Sequence, residues 1–89
     1  MKYVLYYESS PDVLQRAPLH MVAHRERWAE FAKAGTLLMV GPFADAQGAM
    51  GVFTTREAAE AFAKGDPFVL RGVVAHWVIR EWMEALVPE

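Results

Sequence analysis

At 89 residues the chain is long enough for one domain, which we expect to span residues 1–89. Nine basic and eleven acidic residues give a formal net charge of −2 without a basic stripe, which argues against a nucleic-acid partner. The absence of cysteine excludes disulfides, thiolate metal ligands and a cysteine nucleophile. The apolar amino-terminal run is interrupted at Glu8 and is too short for a signal peptide or membrane span, so a cytoplasmic protein is expected.

The first predicted elements are a strand and a helix. Residues 3–7 are mostly aromatic or β-branched, which predicts a strand. From about Leu19 to Ala34 apolar residues recur at helical spacing, and Pro18 suits the first turn of a helix. Gly35 follows where a left-handed residue commonly ends a helix. The predicted core-facing stripe of this helix comprises Met21, Trp28, Phe31 and Ala32.

The middle of the chain predicts a hairpin. Residues 36–40 and 49–53 read as strands, and residues 41–48 between them contain Gly, Pro and Asp. Pro42 lacks an amide proton, so we expect the strand pairing to weaken there.

The second half predicts a helix, a short turn and a final strand. Thr54 is the expected N-cap of a capping box with Glu57, opening a helix over residues 57–64 that Gly65 ends. The sequence Asp66-Pro67-Phe68 then opens a short turn that ends at Gly72, and residues 73–82 form the last strand.

The resulting order, βαββαβ, predicts a ferredoxin-like α+β fold with two helices on one face of an antiparallel sheet. The last strand is apolar on both of its sides, and 54% of the chain is hydrophobic. A second copy of the chain would cover the open face, so we expect a homodimer or higher homo-oligomer. Strict alternation places Ala75, Trp77 and Ile79 on one side of this strand and Val74, Val78 and Trp82 on the other.

Two residues are the strongest candidates for chemistry. His24 lies within the apolar stripe of the first helix, where an imidazole must find a partner. It is either a core histidine that donates to a backbone carbonyl or a general acid or base. Asp66 before Pro67 is explained by helix capping alone, and it gains a chemical role only if its carboxylate orients the ring of His24.

Other polar and aromatic residues have weaker claims. His20 stands one turn before His24, but no further ligand is evident, so we expect no metal site. Pro42 belongs to a loop that could shape a pocket mouth, and Trp28 and Phe68 could line a pocket for a flat ring as well as a core. Arg16, Arg27 and Arg71 could each neutralise a carboxylate ligand or be ordinary surface charges, and His76 reads as an interface residue.

The landmarks together resemble the YCII-related family of small ferredoxin-like proteins. They are His24 set eleven positions before Gly35, the strand ending in Gly41-Pro42, and the triplet Asp66-Pro67-Phe68. The resemblance implies a dimeric α+β barrel with His24 and Asp66 as the proposed catalytic pair. The family commonly has an arginine three positions before the histidine, where this chain has Met21.

Three functions follow as hypotheses. The first is a cofactor-independent lyase or isomerase that uses His24 and Asp66 on a small, cyclic acid, with His20, Trp28, Pro42 and Phe68 contacting the substrate. The second is a non-catalytic module that binds a small molecule in the same cavity, and the third is a structural dimerising domain.

Overall fold

The computed structural model describes residues 1–88. Its elements in chain order are β1 (Lys2–Ser9), α1 (Val13–Lys33), β2 (Leu37–Pro42), β3 (Gly48–Phe53), α2 (Arg56–Gly65), α3 (Pro67–Leu70) and β4 (Val74–Trp82). All strand pairs are antiparallel and the sheet order is β2-β3-β1-β4. This is the ferredoxin-like arrangement that the element order predicted, and the α+β fold class is confirmed.

The core lies between one face of the sheet and the helices. Residues Leu5 and Tyr7 of β1 and Phe53 of β3 face this side and pack with Phe62 of α2. The rings of Phe53 and Phe62 lie 5.4 Å apart, and Phe31 of α1 meets Phe62 edge-on at 5.3 Å. These aromatic contacts join both long helices to the same sheet face.

The two long helices pack differently against the sheet. α2 buries three residues completely or almost so, namely Ala59, Phe62 and Ala63, and its small alanines allow close approach. No residue of the much longer α1 is fully buried. The cavity described below lies between the sheet and the part of α1 from Val13 to Trp28.

The predicted start of α1 was wrong. The helix begins at Val13, six residues before Leu19, and Pro18 lies inside it rather than in its first turn. Pro18 removes the amide that would bond to the Leu14 carbonyl, but both residues are exposed, so water can reach that oxygen. Ala32, placed in the core-facing stripe, is also exposed.

The N-cap of α2 is Thr55 rather than the predicted Thr54. The Thr55 hydroxyl oxygen accepts a hydrogen bond from the amide of Ala58 at 3.1 Å. The amide of Thr54 instead donates to the carbonyl of Thr36 at 2.9 Å, so Thr54 continues the pairing of β2 with β3 and does not cap the helix. The predicted capping box therefore does not form, because Glu57 is one position too early to reach back to the cap.

The predicted hairpin is confirmed, although its first strand is longer than expected. β2 includes Gly41 and Pro42, and Pro42 pairs with Ala49. β2 is an edge strand, where a residue without an amide proton is tolerated. The predicted end of α1 is also confirmed, since Gly35 has a φ of 83°.

A β-bulge changes the facing of β4. Glu8 pairs with His76 but Ser9 pairs with Val74, so Ala75 is an extra residue in the ladder. Val74 consequently turns to the helix-covered side and joins the core, contrary to the expected alternation. Of the three residues expected together on the outer side of β4, Val78 and Trp82 lie there and Val74 does not.

Across residues 1–88, none of the helices combines the length and apolar character needed to cross a membrane.

Candidate active site

His24 occupies the cavity-facing side of α1, and its side chain is only 12% exposed. Its Nδ1 atom lies 2.8 Å from Oδ1 of Asp66. The ring stacks face to face on Phe68, with centroids 3.7 Å apart and planes 3° from parallel. The imidazole is thus held in one orientation by a carboxylate at its edge and an aromatic ring against its face.

Asp66 is fully buried at the junction of α2 and α3. Its Oδ1 accepts the amide of Phe68 at 3.1 Å, which makes Asp66 the N-cap of α3 as the sequence indicated. The same oxygen meets His24, and Oδ2 accepts the hydroxyl of Tyr7 at 2.6 Å. The capping role and the contact with His24 therefore exist together, and three donors satisfy a carboxylate that would be costly to bury alone.

Tyr7 is the member of this network that sequence reasoning missed. Burial, followed by the charge of Asp66 and the hydrogen bond to it, raises the pKa of the Tyr7 phenol well above its usual range. The hydroxyl therefore stays protonated and acts as a donor. The only signal in the sequence was a polar atom at an inward position of β1, between residues that read as ordinary core.

The hydrogen bonds assign the proton on His24. Because both Asp66 oxygens act as acceptors, the shared proton belongs on Nδ1 of the imidazole. In the neutral ring Nε2 then carries a free lone pair, and no group within residues 1–88 donates to it. A bare ring nitrogen beside a cavity can accept a proton from a bound molecule.

A cavity of about 370 Å³ opens between α1 and the sheet, beside His24. Of the predicted substrate contacts, Trp28, Pro42 and Phe68 line it, whereas His20 does not. Asp66 sits behind His24 rather than in the wall. Most of the remaining wall is apolar and includes Val13, Leu14, Ala17, Met21, Val40, Ala49, Val73 and Val74.

Four polar side chains line the cavity, namely Tyr7, Ser9, His24 and Arg25. The three arginines considered from the sequence are elsewhere. Arg16 pairs with Asp12, Arg27 donates to the carbonyls of Ala61 and Phe62, and Arg71 is exposed outside the cavity. Sequence reasoning missed Arg25, which next to His24 looks like a surface charge.

No metal-binding cluster of three histidine or carboxylate side chains occurs within residues 1–88. His76 is exposed and is paired with Glu8 on the opposite side of the sheet from Tyr7. The chain has three histidines, and His24 is the one whose imidazole contacts a buried carboxylate.

The sequence model of the YCII-related domain matches residues 1–83. The chain belongs to the YCII-related family. Two relatives named Protein YciI, from Escherichia coli O6:H1 and from Shigella flexneri, are each 33% identical to this YCII-related chain over 88 residues. Each alignment covers 85% of this chain and 90% of the relative, and it confirms the resemblance deduced from the motifs.

A solved structure shares the fold of this YCII-related protein. It is 5-chloro-2-hydroxyhydroquinone dehydrochlorinase (TftG) from Burkholderia phenoliruptrix AC1100, in complex with 2,5-dihydroxybenzoquinone. The two chains superpose with a TM-score of 0.78 over 96% of each, at 19% sequence identity. At this identity the similarity establishes the common architecture.

Proposed function

We propose that this YCII-related protein is a cytoplasmic enzyme that moves a proton on a small, ring-shaped acid without a cofactor. The observation that carries the proposal is the 2.8 Å contact between Nδ1 of His24 and the buried carboxylate of Asp66, at the wall of the cavity. That contact leaves Nε2 as the proton acceptor and fixes its direction.

The proposed reaction begins when Nε2 of His24 removes a proton from a carbon of the substrate. The positive charge that develops on the imidazole is balanced by the buried negative charge of Asp66. Return of the proton to another atom gives an isomerase reaction, and departure of a leaving group with its electron pair gives a lyase reaction. The neighbour TftG, named as a dehydrochlorinase and solved with a six-membered ring compound, supports chemistry of this class on this fold.

Solvent deuterium incorporation tests the proposal. A panel of small ring acids is incubated with the protein in D₂O, and exchange at each carbon is followed by proton NMR. We expect at least one acid to exchange, and His24→Gln to slow that exchange by about 10²–10⁴-fold. Asp66→Asn should slow it as well, because the carboxylate that holds the proton on Nδ1 and leaves Nε2 free is lost.

His76→Gln is the matched control, because it removes an exposed imidazole on the other side of the sheet. It should leave exchange unchanged. If the wild-type protein binds an acid of the panel in its cavity but exchanges none, the enzymatic proposal fails and the binding module is favoured. Equal exchange by wild type and folded His24→Gln would also contradict it.

We further propose that a second copy of the chain covers the outer face of the sheet. Support comes from apolar side chains that face away from the helices, including Met39 at 62% exposure, Val78 at 47% and Trp82 at 46%. Val4 and Val52 lie between them and are already buried at 4% exposure, and Arg80 pairs with Val4 on the same face. Exposed apolar side chains grouped on one sheet face are typical of an interface.

Sedimentation velocity at micromolar concentration tests the dimer. The wild-type protein should sediment as a dimer, and Val78→Glu should shift it to the monomer because a carboxylate would be buried at the interface. Val22→Glu is the control, since Val22 is exposed on α1 and faces no proposed partner. A monomeric wild-type protein, or an equal effect of both substitutions, would contradict the proposed interface.

A further inference from the structure

The cavity has a single cationic side chain in its wall, Arg25. It is exposed, and within residues 1–88 it forms no ion pair and no side-chain hydrogen bond. No aspartate or glutamate lines the cavity, and Asp66 sits behind His24, where three hydrogen-bond donors hold its carboxylate.

Helix geometry explains how Arg25 reaches the cavity. Residues 21, 25 and 28 are spaced by four and three positions, so Met21, Arg25 and Trp28 follow one stripe of α1. All three line the cavity. An arginine in such a stripe can lay its apolar stem along the neighbouring side chains while its guanidinium stays in water. The charged group of Arg25 therefore belongs to the rim and the apolar groups to the interior.

The apolar wall specifies the rest of the ligand. Trp28 and Phe68 supply flat aromatic surface, and Met21 supplies a flexible, polarisable side chain. A cavity of about 370 Å³ is near the lower end of the size range for small-molecule sites. A single substituted ring suits this volume and this surface.

We propose that Arg25 is the anchor for a carboxylate carried on an aromatic ring, and that it determines specificity for aromatic acids over neutral rings. The guanidinium pairs with the carboxylate at the rim, and the ring lies against the apolar wall beside His24. This assignment rests on the proposed function only in taking the same cavity as the ligand site. The contact between Arg25 and the carboxylate can be measured as binding, whether or not the protein turns the ligand over.

Binding of three matched probes tests the anchor. Benzoate has a ring and a charge, benzamide has the ring without the charge, and acetate has the charge without the ring. Dissociation constants are measured from NMR shift changes of the amides around the cavity. We expect wild-type protein to bind benzoate at least about fivefold more tightly than either other probe, as for a partly exposed charge-assisted pair.

Two variants separate a specific contact from a general charge effect. Arg25→Gln should weaken benzoate binding about fivefold and leave benzamide binding unchanged. Arg71→Gln removes the same charge from an exposed residue outside the cavity and should change neither. The advantage of benzoate over benzamide should also shrink at high salt.

Three results would overturn the anchor. They are unchanged benzoate binding in Arg25→Gln, an equal loss in Arg71→Gln, and no shift of cavity amides with benzoate in the wild-type protein. The His24→Gln variant separates failure of the Arg25 anchor from failure of the proposed function. If His24 variants keep benzoate binding while wild type shows no deuterium exchange, the anchor stands and the catalytic proposal falls.

Discussion

The carboxylate of Asp66 connects the site to the core through Tyr7, a side chain that otherwise looks like ordinary core packing. Tyr7 donates to Oδ2 while His24 and the Phe68 amide share Oδ1. Each donor reduces the cost of a buried charge, and together they leave the carboxylate little freedom to rotate. The orientation of His24 therefore depends on Tyr7, which acts through Asp66 as a positioning residue.

Replacing Tyr7 with phenylalanine should destabilise the protein. Tyr7→Phe leaves Oδ2 of Asp66 buried without its hydroxyl donor, at a cost of about 1–3 kcal/mol. Tyr6→Phe is the matched control, because Tyr6 is a neighbour in β1 whose hydroxyl makes no hydrogen bond within residues 1–88. Urea unfolding measures both, and equal losses of stability would contradict the proposed role of the Tyr7 hydroxyl.

The sequence predicted part of this site for identifiable reasons. A histidine in an apolar stripe demands a partner, and the family resemblance supplied Asp66. The contact itself required the fold, because 42 residues separate the two side chains. Tyr7 and Arg25 escaped notice because a tyrosine in an apolar strand and an arginine on a long helix have ordinary explanations.

At the scale of elements, the sequence predicted every long helix and strand but misplaced their starts. Pro18 resembled a helix-opening residue, yet α1 continues on its amino-terminal side as far as Val13. The first turns of α1 face the cavity instead of a packed core, so their apolar pattern is weak. The bulge at Ala75 was likewise invisible, since it arises from pairing with β1 rather than from local preference.

The end of α1 offers a clean test of a local conformational requirement. Gly35 has a φ of 83° and would place an added Cβ in open space, so Gly35→Ala should cost only backbone strain of about 1–2 kcal/mol. Gly41 also has room for a Cβ but does not have a positive φ, so Gly41→Ala should be neutral or slightly stabilising. Thermal or urea unfolding compares the pair, and an equal response would rule out φ as the cause.

At the scale of the whole molecule, the cavity results from unequal packing of the two long helices. α2 approaches the sheet through alanines and fills the core, while α1 buries no residue fully and leaves the cavity between itself and the sheet. The bulge in β4 adds Val74 to the cavity wall. The site therefore lies where β1, α1 and the start of α3 converge, and it cannot be located from any one of these elements.

The protonation of His24 tests the proposed proton acceptor most directly, because it reports the joint effect of Tyr7, Asp66 and the fold that brings them together. Long-range proton–nitrogen NMR on the wild-type protein, at a pH where the ring is neutral, identifies which nitrogen of His24 carries the proton. We expect a proton on Nδ1 and a bare Nε2. A neutral ring protonated on Nε2 would contradict it, since that nitrogen could not then accept a proton from a substrate.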